Sequence, residues 1–356
     1  MTLPENPILS QMSTMGHEQV LFCSDKTTGL KAIIAIHNTV LGPALGGTRM
    51  WAYANEMEAL KDVLRLSKGM TYKNSISGLN LGGGKAVIIG DARSMKSEAL
   101  FRRFGKFVNS LAGNYITAED VGITPSDMQW VNMETNHVAG LPGKSGDPSP
   151  VTAYGVYMGM KACAKIQFGS DSLEGKVIAV QGVGHVGEYL VKHLSEEKAK
   201  VIITDIHEET LKRVATTYGA TVVSPDEIYD VPMDIYAPCA MGATINDLTL
   251  SRLNCSIIAG AANNQLSDEN IHGLALMNRG IVYAPDFALN AGGVINCFSE
   301  VEGLSKEWAH EKAGEIYSTV LSIIKRAKDN GIPTYQIANQ MAEERIAAKT
   351  NVNLTT

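Results

Sequence analysis

The chain has 356 residues, 45% of them hydrophobic and 19% charged, with a formal net charge of −6. That length suits two domains built on packed cores, and the acidic balance argues against nucleic acid as the main partner. No run approaches the roughly 18 apolar residues of a membrane span, and the first residues lack the basic stretch and apolar core of a signal peptide, so the sequence reads as cytoplasmic with no membrane partner.

Residues 18–24 and 30–37 are short β-rich runs joined by Asp25-Lys26-Thr27-Thr28-Gly29, a hairpin signal. Gly42-Pro43-Ala44-Leu45-Gly46-Gly47-Thr48-Arg49 follows and reads as irregular. Asn55 opens a helix with Glu58 as its capping-box partner. Leu60, Val63, Leu64 and Ser67 mark the buried side, and the helix ends within 68–74. Gly78-Leu79-Asn80-Leu81-Gly82-Gly83-Gly84-Lys85 then resembles a P-loop only superficially. Leu79 stands where that motif needs glycine, Ala86 where it needs Ser or Thr, and Lys85 leads into a strand over 86–89 instead of a helix.

Residues 97–111 form a helix with an apolar face and a stop at Gly113. A short strand over 115–118 runs into Glu119-Asp120, and Thr124-Pro125 starts another helix. The Gly/Pro/Ser-rich stretch 140–150 marks a domain boundary. The expected division is a first domain over 1–142, joined by a C-terminal helix over 331–356, and a second domain over 143–330.

The second domain opens with a helix over 152–168 and then Gly175–Asp205, which reads as strand, tight turn, helix, strand. In Gly182-Val183-Gly184-His185-Val186-Gly187-Glu188, Gly182 permits the turn, Gly184 lets backbone approach a pyrophosphate, and Gly187 lets the helix sit close on the sheet. The helix N-terminus offers unpaired N–H groups to phosphates. Asp205, closing the second strand, suits the adenine ribose hydroxyls and would repel a 2′-phosphate, so the cofactor is expected to be NAD. A methyltransferase-like nucleotide fold is the rival reading of this stretch. Further strands are expected near Val222, Ile235, Ile257 and Val282, as a doubly wound Rossmann sheet requires. Their ends carry Cys239, Ala240 and Asn263, where a cofactor would lie. Two closing helices follow over 306–330 and 334–349.

Five scattered cysteines, with no CxxC pair, read as free thiols. His137, His185 and His193 lack metal-ligand spacing, so no metal site is expected. The chemistry-bearing pattern is Lys73, Lys85 and Asp120, each at the end of a regular element beside glycines. Two lysines and an aspartate suit an amino or keto acid. One ammonium holds the α-carboxylate, and a second, its proton affinity lowered by the first, serves as a base.

Several stretches carry a resemblance over nearly the whole chain: 42–49, Met70-Thr71-Tyr72-Lys73-Asn74, 78–85, Tyr115-Ile116-Thr117-Ala118-Glu119-Asp120-Val121-Gly122, 148–156, Gly260-Ala261-Ala262-Asn263-Asn264-Gln265-Leu266 and Asn290-Ala291-Gly292-Gly293-Val294-Ile295-Asn296. With them the sequence resembles the Glu/Leu/Phe/Val amino-acid dehydrogenase superfamily, in particular its leucine-specific branch. The resemblance implies an α/β fold of two domains, one binding substrate and one a Rossmann domain binding NAD, with an active-site cleft between them. The implied reaction is reversible oxidative deamination of L-leucine and other branched-chain L-amino acids to the 2-oxo acid and ammonia. Phenylalanine or valine specificity, or a non-catalytic NAD-binding regulator, are the alternatives.

Lys85 then corresponds to the lysine that activates water, Asp120 to the aspartate that exchanges protons with the amine, and Lys73 to the lysine that binds the α-carboxylate. Leu45, Gly46, Ala118, Val294 and Cys297 correspond to the walls of an aliphatic-sized pocket. Thr152 and Asn263 fall near the nicotinamide. His185, Gly187 and Cys297 depart from the superfamily's usual asparagine, alanine and valine. The resemblance also implies a homo-oligomer, an octamer.

Overall fold

The computed structural model describes residues 7–355, with side chains described over 8–351. The chain divides into two units, one of Met1–Gly146, Cys297–Gly303 and Ala342–Thr356, the other of Asp147–Asn296 and Leu304–Met341. Residues 331–341, expected with the first unit, group with the second, while 143–146 and 297–303, expected with the second, group with the first. Glu300 accounts for the latter: its buried carboxylate accepts from Gly140 N at 3.0 Å and from Ser145 Oγ at 2.5 Å.

The first unit runs α1 (Pro7–Met15), β1 (Gln19–Asp25), β2 (Leu30–Asn38), β3 (Ala44–Trp51), α2 (Glu56–Ile76), β4 (Gly82–Ile89), α3 (Glu98–Ser110), β5 (Tyr115–Glu119) and α4 (Pro125–Asn132). Its five strands lie in the order β1-β2-β4-β3-β5. The expected hairpin is β1–β2, antiparallel with Asp25 opposite Leu30, and β3, β4 and β5 are mutually parallel. Alternation sorts the sheet's two faces. Ile34, Ile36, Ala86 and Ile88 pack with Leu100, Phe101 and Phe104 of α3. Ile33, Ala35 and Val87 pack with Leu60, Val63 and Leu64 of α2.

Residues 44–51 are a strand, contrary to the irregular reading. A β-carbon at Gly46 would stand 1.8 Å from the Gly84 carbonyl oxygen, and one at Gly47 2.3 Å from that of Glu119. The glycines therefore mark close strand approach, not a break in the sheet. The same correction applies to 82–84, which belong to β4, so Lys85 sits inside a strand. Helix α2 also runs on to Ile76, which puts Lys73 in its last turn. Asn55 caps this helix, accepting from Glu58 N at 2.9 Å, while the Glu58 carboxylate accepts from Ala54 N instead of the Asn55 N–H that the expected capping box requires.

The second unit continues α5 (Ser149–Phe168), β6 (Val177–Gln181), α6 (His185–Glu196), β7 (Lys200–Thr204), α7 (Glu208–Tyr218), β8 (Thr221–Val222), β9 (Ile235–Pro238), α8 (Asp247–Arg252), β10 (Ile257–Ile258), α9 (Glu269–Asn278), β11 (Val282–Tyr283) and α10 (Asp286–Leu289). Then come α11 (Gly292–Val301), α12 (Lys306–Gly314), α13 (Ile316–Asn330) and α14 (Thr334–Thr355). The single helix expected over 306–330 is two helices that meet at Glu315, the C-cap of one and N-cap of the next. The sheet order is β11-β10-β9-β6-β7-β8, all parallel. This is the doubly wound Rossmann arrangement, in which the chain winds outward in both directions from β6 and leaves a switch point between β6 and β9. The last part of α14 packs within the first unit, where Ala342 O accepts from Ser75 Oγ and Arg345 donates to Leu79 O.

Candidate active site

In the first unit, parity along the strands brings the charged residues to the face that α2 covers. Lys85 shares the parity of Val87, Arg49 lies two residues before Trp51 on β3, and Asp120 follows β5 directly. The Lys85 ammonium lies 2.8 Å from Asp120 Oδ2, with only 8% of the lysine side chain exposed. Arg49 Nε approaches the same oxygen at 3.3 Å, and Arg49 Nη1 reaches Asp62 Oδ2 at 3.0 Å. Burial alone would raise the Asp120 carboxyl. The charges of Lys85 and Arg49 and the Val121 N–H outweigh it, and the group is held below the usual carboxylate range.

Asp120 caps no helix. The helix that follows it, α4, is capped by Thr124 in a reciprocal capping box with Asp127. Lys73 sits on α2 just beyond Met70 and Thr71, which touch the glycines of β3 and β4. A β-carbon at Gly83 would stand 2.1 Å from Thr71 N, and one at Gly46 3.1 Å from Met70 Cγ. Leu45 and Ala118 are buried beside these charges, at 2% and 6% exposure, and Gly47 pairs with Ala118 across β3 and β5. The Cys297 thiol is pushed up to about 12 by burial, with the carboxylates of Glu300 and Glu119 adding to the effect. It is a neutral, weakly polar group.

Arg49, Asp62 and Tyr53 are the site residues that sequence reasoning missed. Arg49 has no role legible in its motif, because its side chain acquires partners only once the glycine-rich stretch that carries it forms β3. Asp62 lies on the helix interior, and its partner 13 positions away is set by tertiary packing.

In the second unit, Gly182 has φ +97°, and a β-carbon there would stand 2.5 Å from that of Ala240. A β-carbon at Gly187 would stand 2.0 Å from the Gly182 carbonyl oxygen, so turn and helix are pressed together. Gly184 is the N-cap of α6, with no side-chain cap and nothing within 4 Å of a β-carbon built on it. The first N–H groups of α6 therefore face no side-chain acceptor, which is the arrangement a pyrophosphate fits. Asp205 braces this turn, accepting from Val183 N at 2.8 Å and His207 N at 2.9 Å. Val183 is buried, Val186 half-buried and His185 exposed.

Glu188 forms a two-pronged ion pair with Arg213 of α7. Cys239 N donates to Gln181 O at 2.8 Å across the switch point, and burial pushes its thiol up to about 12. Thr152 Oγ1 donates to Pro148 O, and Gly292 packs on the Thr152 backbone. Asn263 Oδ1 accepts from Asn290 Nδ2 at 2.8 Å, and Val294 is 6% exposed. Among the described residues no group of His, Cys, Asp or Glu is disposed to hold a metal.

Residues 17–137 match the family described as Glu/Leu/Phe/Val dehydrogenase, dimerisation domain, and residues 143–207 and 199–353 match Glutamate/Leucine/Phenylalanine/Valine dehydrogenase. The chain is 58% identical to a leucine dehydrogenase of Thermoactinomyces intermedius, over 95% of this chain and 93% of that protein. It is 56% identical to a leucine dehydrogenase of Bacillus cereus, over 98% and 96%. The structure of L-tryptophan dehydrogenase from Nostoc punctiforme superposes with a TM-score of 0.87 at 45% identity, covering 96% of this chain and 99% of that one.

Proposed function

The chain belongs to the Glu/Leu/Phe/Val dehydrogenase family, and we propose that it catalyses the reversible NAD-dependent oxidative deamination of L-leucine and other branched-chain L-amino acids. L-leucine, water and the oxidised dinucleotide give 4-methyl-2-oxopentanoate, ammonium, the reduced dinucleotide and a proton. The observation that carries this reading is the Lys85–Asp120 pair at 2.8 Å on a glycine-lined strand face, in a chain whose other unit is a Rossmann sheet with an uncapped phosphate-type turn.

Bound NAD would supply the hydride acceptor. Lys73 holds the substrate α-carboxylate as a point charge. Asp120 exchanges a proton with the amine, and Lys85 activates the water that attacks the imine carbon and polarises the keto oxygen in reverse. The depressed Asp120 carboxyl is ionised at neutral pH and so can accept a proton from the substrate ammonium. Within the first unit, Leu45, Gly46, Ala118 and Cys297 make the aliphatic walls. Gly182–Glu188, Asp205, Cys239, Ala240, Thr152 and Asn263 form the dinucleotide side. NAD is favoured over NADP because Asp205 is acidic and Arg213, a nearby guanidinium, is already engaged by Glu188. A homo-octamer is part of the same proposal.

The reverse reaction tests it. NADH, ammonia and 4-methyl-2-oxopentanoate should yield leucine with loss of NADH absorbance, and NADPH should substitute poorly. Equal rates with the two reductants would remove the role given to Asp205.

A further inference from the structure

Asp120 stands one residue past β5, where its backbone is held by Ile123 N on its carbonyl and by Met50 N on that of Val121. What fixes its side chain is a string of alternating charges. Lys85 Nζ lies 2.8 Å from Asp120 Oδ2, and Arg49 Nε lies 3.3 Å from the same oxygen. Arg49 Nη1 lies 3.0 Å from Asp62 Oδ2, Tyr53 Oη donates to that oxygen at 2.6 Å, and Arg65 Nη2 lies 3.0 Å from Asp62 Oδ1. The string joins β4, the end of β5, β3 and α2 in one unit.

We propose that Arg49 is a positioning residue for the reaction: it fixes the Asp120 carboxylate against Lys85, and Asp62, held by Tyr53 and Arg65, fixes Arg49. The proposal rests on the catalytic reading of Lys85 and Asp120.

An ammonium is a compact point charge with rotatable donors, so Lys85 alone sets a distance to Asp120 but no orientation. A guanidinium is planar and rigid. With one edge engaged by Asp62 and Nε engaged by Asp120, its plane is defined by groups on two different elements. A purely structural arginine tying β3 to α2 would need Asp62 alone. Here the second contact goes to the carboxylate that exchanges the substrate's proton. Side-chain exposures of 23% for Arg49, 17% for Asp62 and 25% for Asp120 leave little water to substitute for a lost partner.

The groups facing Asp120 are Lys85 from β4, Arg49 from β3 and the Val121 N–H. Glu119 precedes it in the chain, and the Tyr115 phenol on β5, pushed up by burial, stays neutral. Loss of Arg49 removes one of the two cations that offset burial of Asp120, so its carboxyl should gain a proton more readily.

The experiment compares Arg49→Gln, Arg49→Lys, Asp62→Asn and Tyr53→Phe with the unsubstituted protein. Leucine kcat and KM and the acid limb of kcat/KM are measured, together with a ¹³C titration of the Asp120 carboxyl assigned through Asp120→Asn. Arg49→Gln is expected to lower kcat about 10- to 100-fold through misplacement of Asp120, and to move both the acid limb and the Asp120 titration to higher pH. Arg49→Lys should restore the titration while leaving kcat low. Asp62→Asn and Tyr53→Phe should lower kcat less, in that order, with little change in the limb. A folded Arg49→Gln protein with unsubstituted kcat and Asp120 titration overturns the proposal. If Arg49→Gln does not fold, unchanged kcat in both Asp62→Asn and Tyr53→Phe overturns it. The titration needs no turnover, so a protein inactive on every amino acid would sink the dehydrogenase reading while the Arg49–Asp120 coupling is still decided.

Discussion

Lys85 is carried inside a strand with three glycines before it and α2 above it, and its ammonium meets a carboxylate at 2.8 Å. Lys85→Ala should therefore reduce turnover by about 10²- to 10⁴-fold or more, the usual worth of general acid–base catalysis, while dinucleotide affinity stays nearly unchanged. Normal turnover in that variant would remove Lys85 from the mechanism. Lys73→Ala should raise the leucine KM far more than the NAD KM, and equal effects would make it a structural residue. Pocket walls behave differently, because a methylene is discriminated by only about 1–3 kcal/mol whereas an unpartnered buried carboxylate costs far more. Ala118→Gly should accordingly shift relative kcat/KM toward bulkier side chains, and Leu45→Lys should cripple leucine oxidation. Residue types with strong local context were legible: a lysine after glycines, an acid after a short strand, an acid closing the second Rossmann strand. Arg49 and Asp62 were not, because their meaning lies in contacts between β3, α2 and the end of β5 that no local spacing encodes.

At the scale of elements, α2 is the piece whose seat matters most, since it carries both Lys73 and Asp62. Gly83 admits it to the sheet, and Gly83→Ala would put a β-carbon 2.1 Å from Thr71 N. The overpacking should cost roughly 1–3 kcal/mol or more and impair leucine binding along with stability. Unaltered melting in that variant would contradict the packing argument. Behind the same helix, His37 Nδ1 bonds Thr71 Oγ1 at 2.8 Å, His17 Nε2 bonds Ser67 Oγ at 2.8 Å, and the two rings are 4.8 Å apart. Both imidazoles are lowered from 6.5 to about 4, chiefly by burial, with the Lys68 charge adding to both and His37 to His17. Below pH 6.5 the unfolded chain takes up these protons and the folded one does not, so stability should fall as pH drops from 6.5 toward 4. Melting curves across that window check it: His37→Gln should flatten the slope, and an unchanged slope would acquit the pair. The β1–β2 hairpin, α3, the Rossmann strands and their turn were all readable from periodicity and turn residues. Residues 44–47 and 82–84 are not legible in the same way, because glycine signals a turn locally, whereas here close approach of neighbouring backbone requires it.

For the whole molecule, the doubly wound class of the second unit is legible in the fingerprint and the recurring apolar strands, but the strand order and the partition of the chain are not. Residues 297–303 join the first unit through Glu300, a long-range bond invisible to composition. The proposed homo-octamer is checked by sedimentation, where eight copies are expected and a monomer would overturn that part of the proposal. The most direct test of the account is a substrate panel followed by reduced-nicotinamide absorbance, using the unsubstituted protein with NAD+ and each of leucine, isoleucine, valine, phenylalanine and glutamate. Leucine, isoleucine and valine should be oxidised within a modest range of one another, phenylalanine poorly and glutamate hardly at all. A preference for glutamate or phenylalanine over leucine, or no reduction with any of the five, would contradict it.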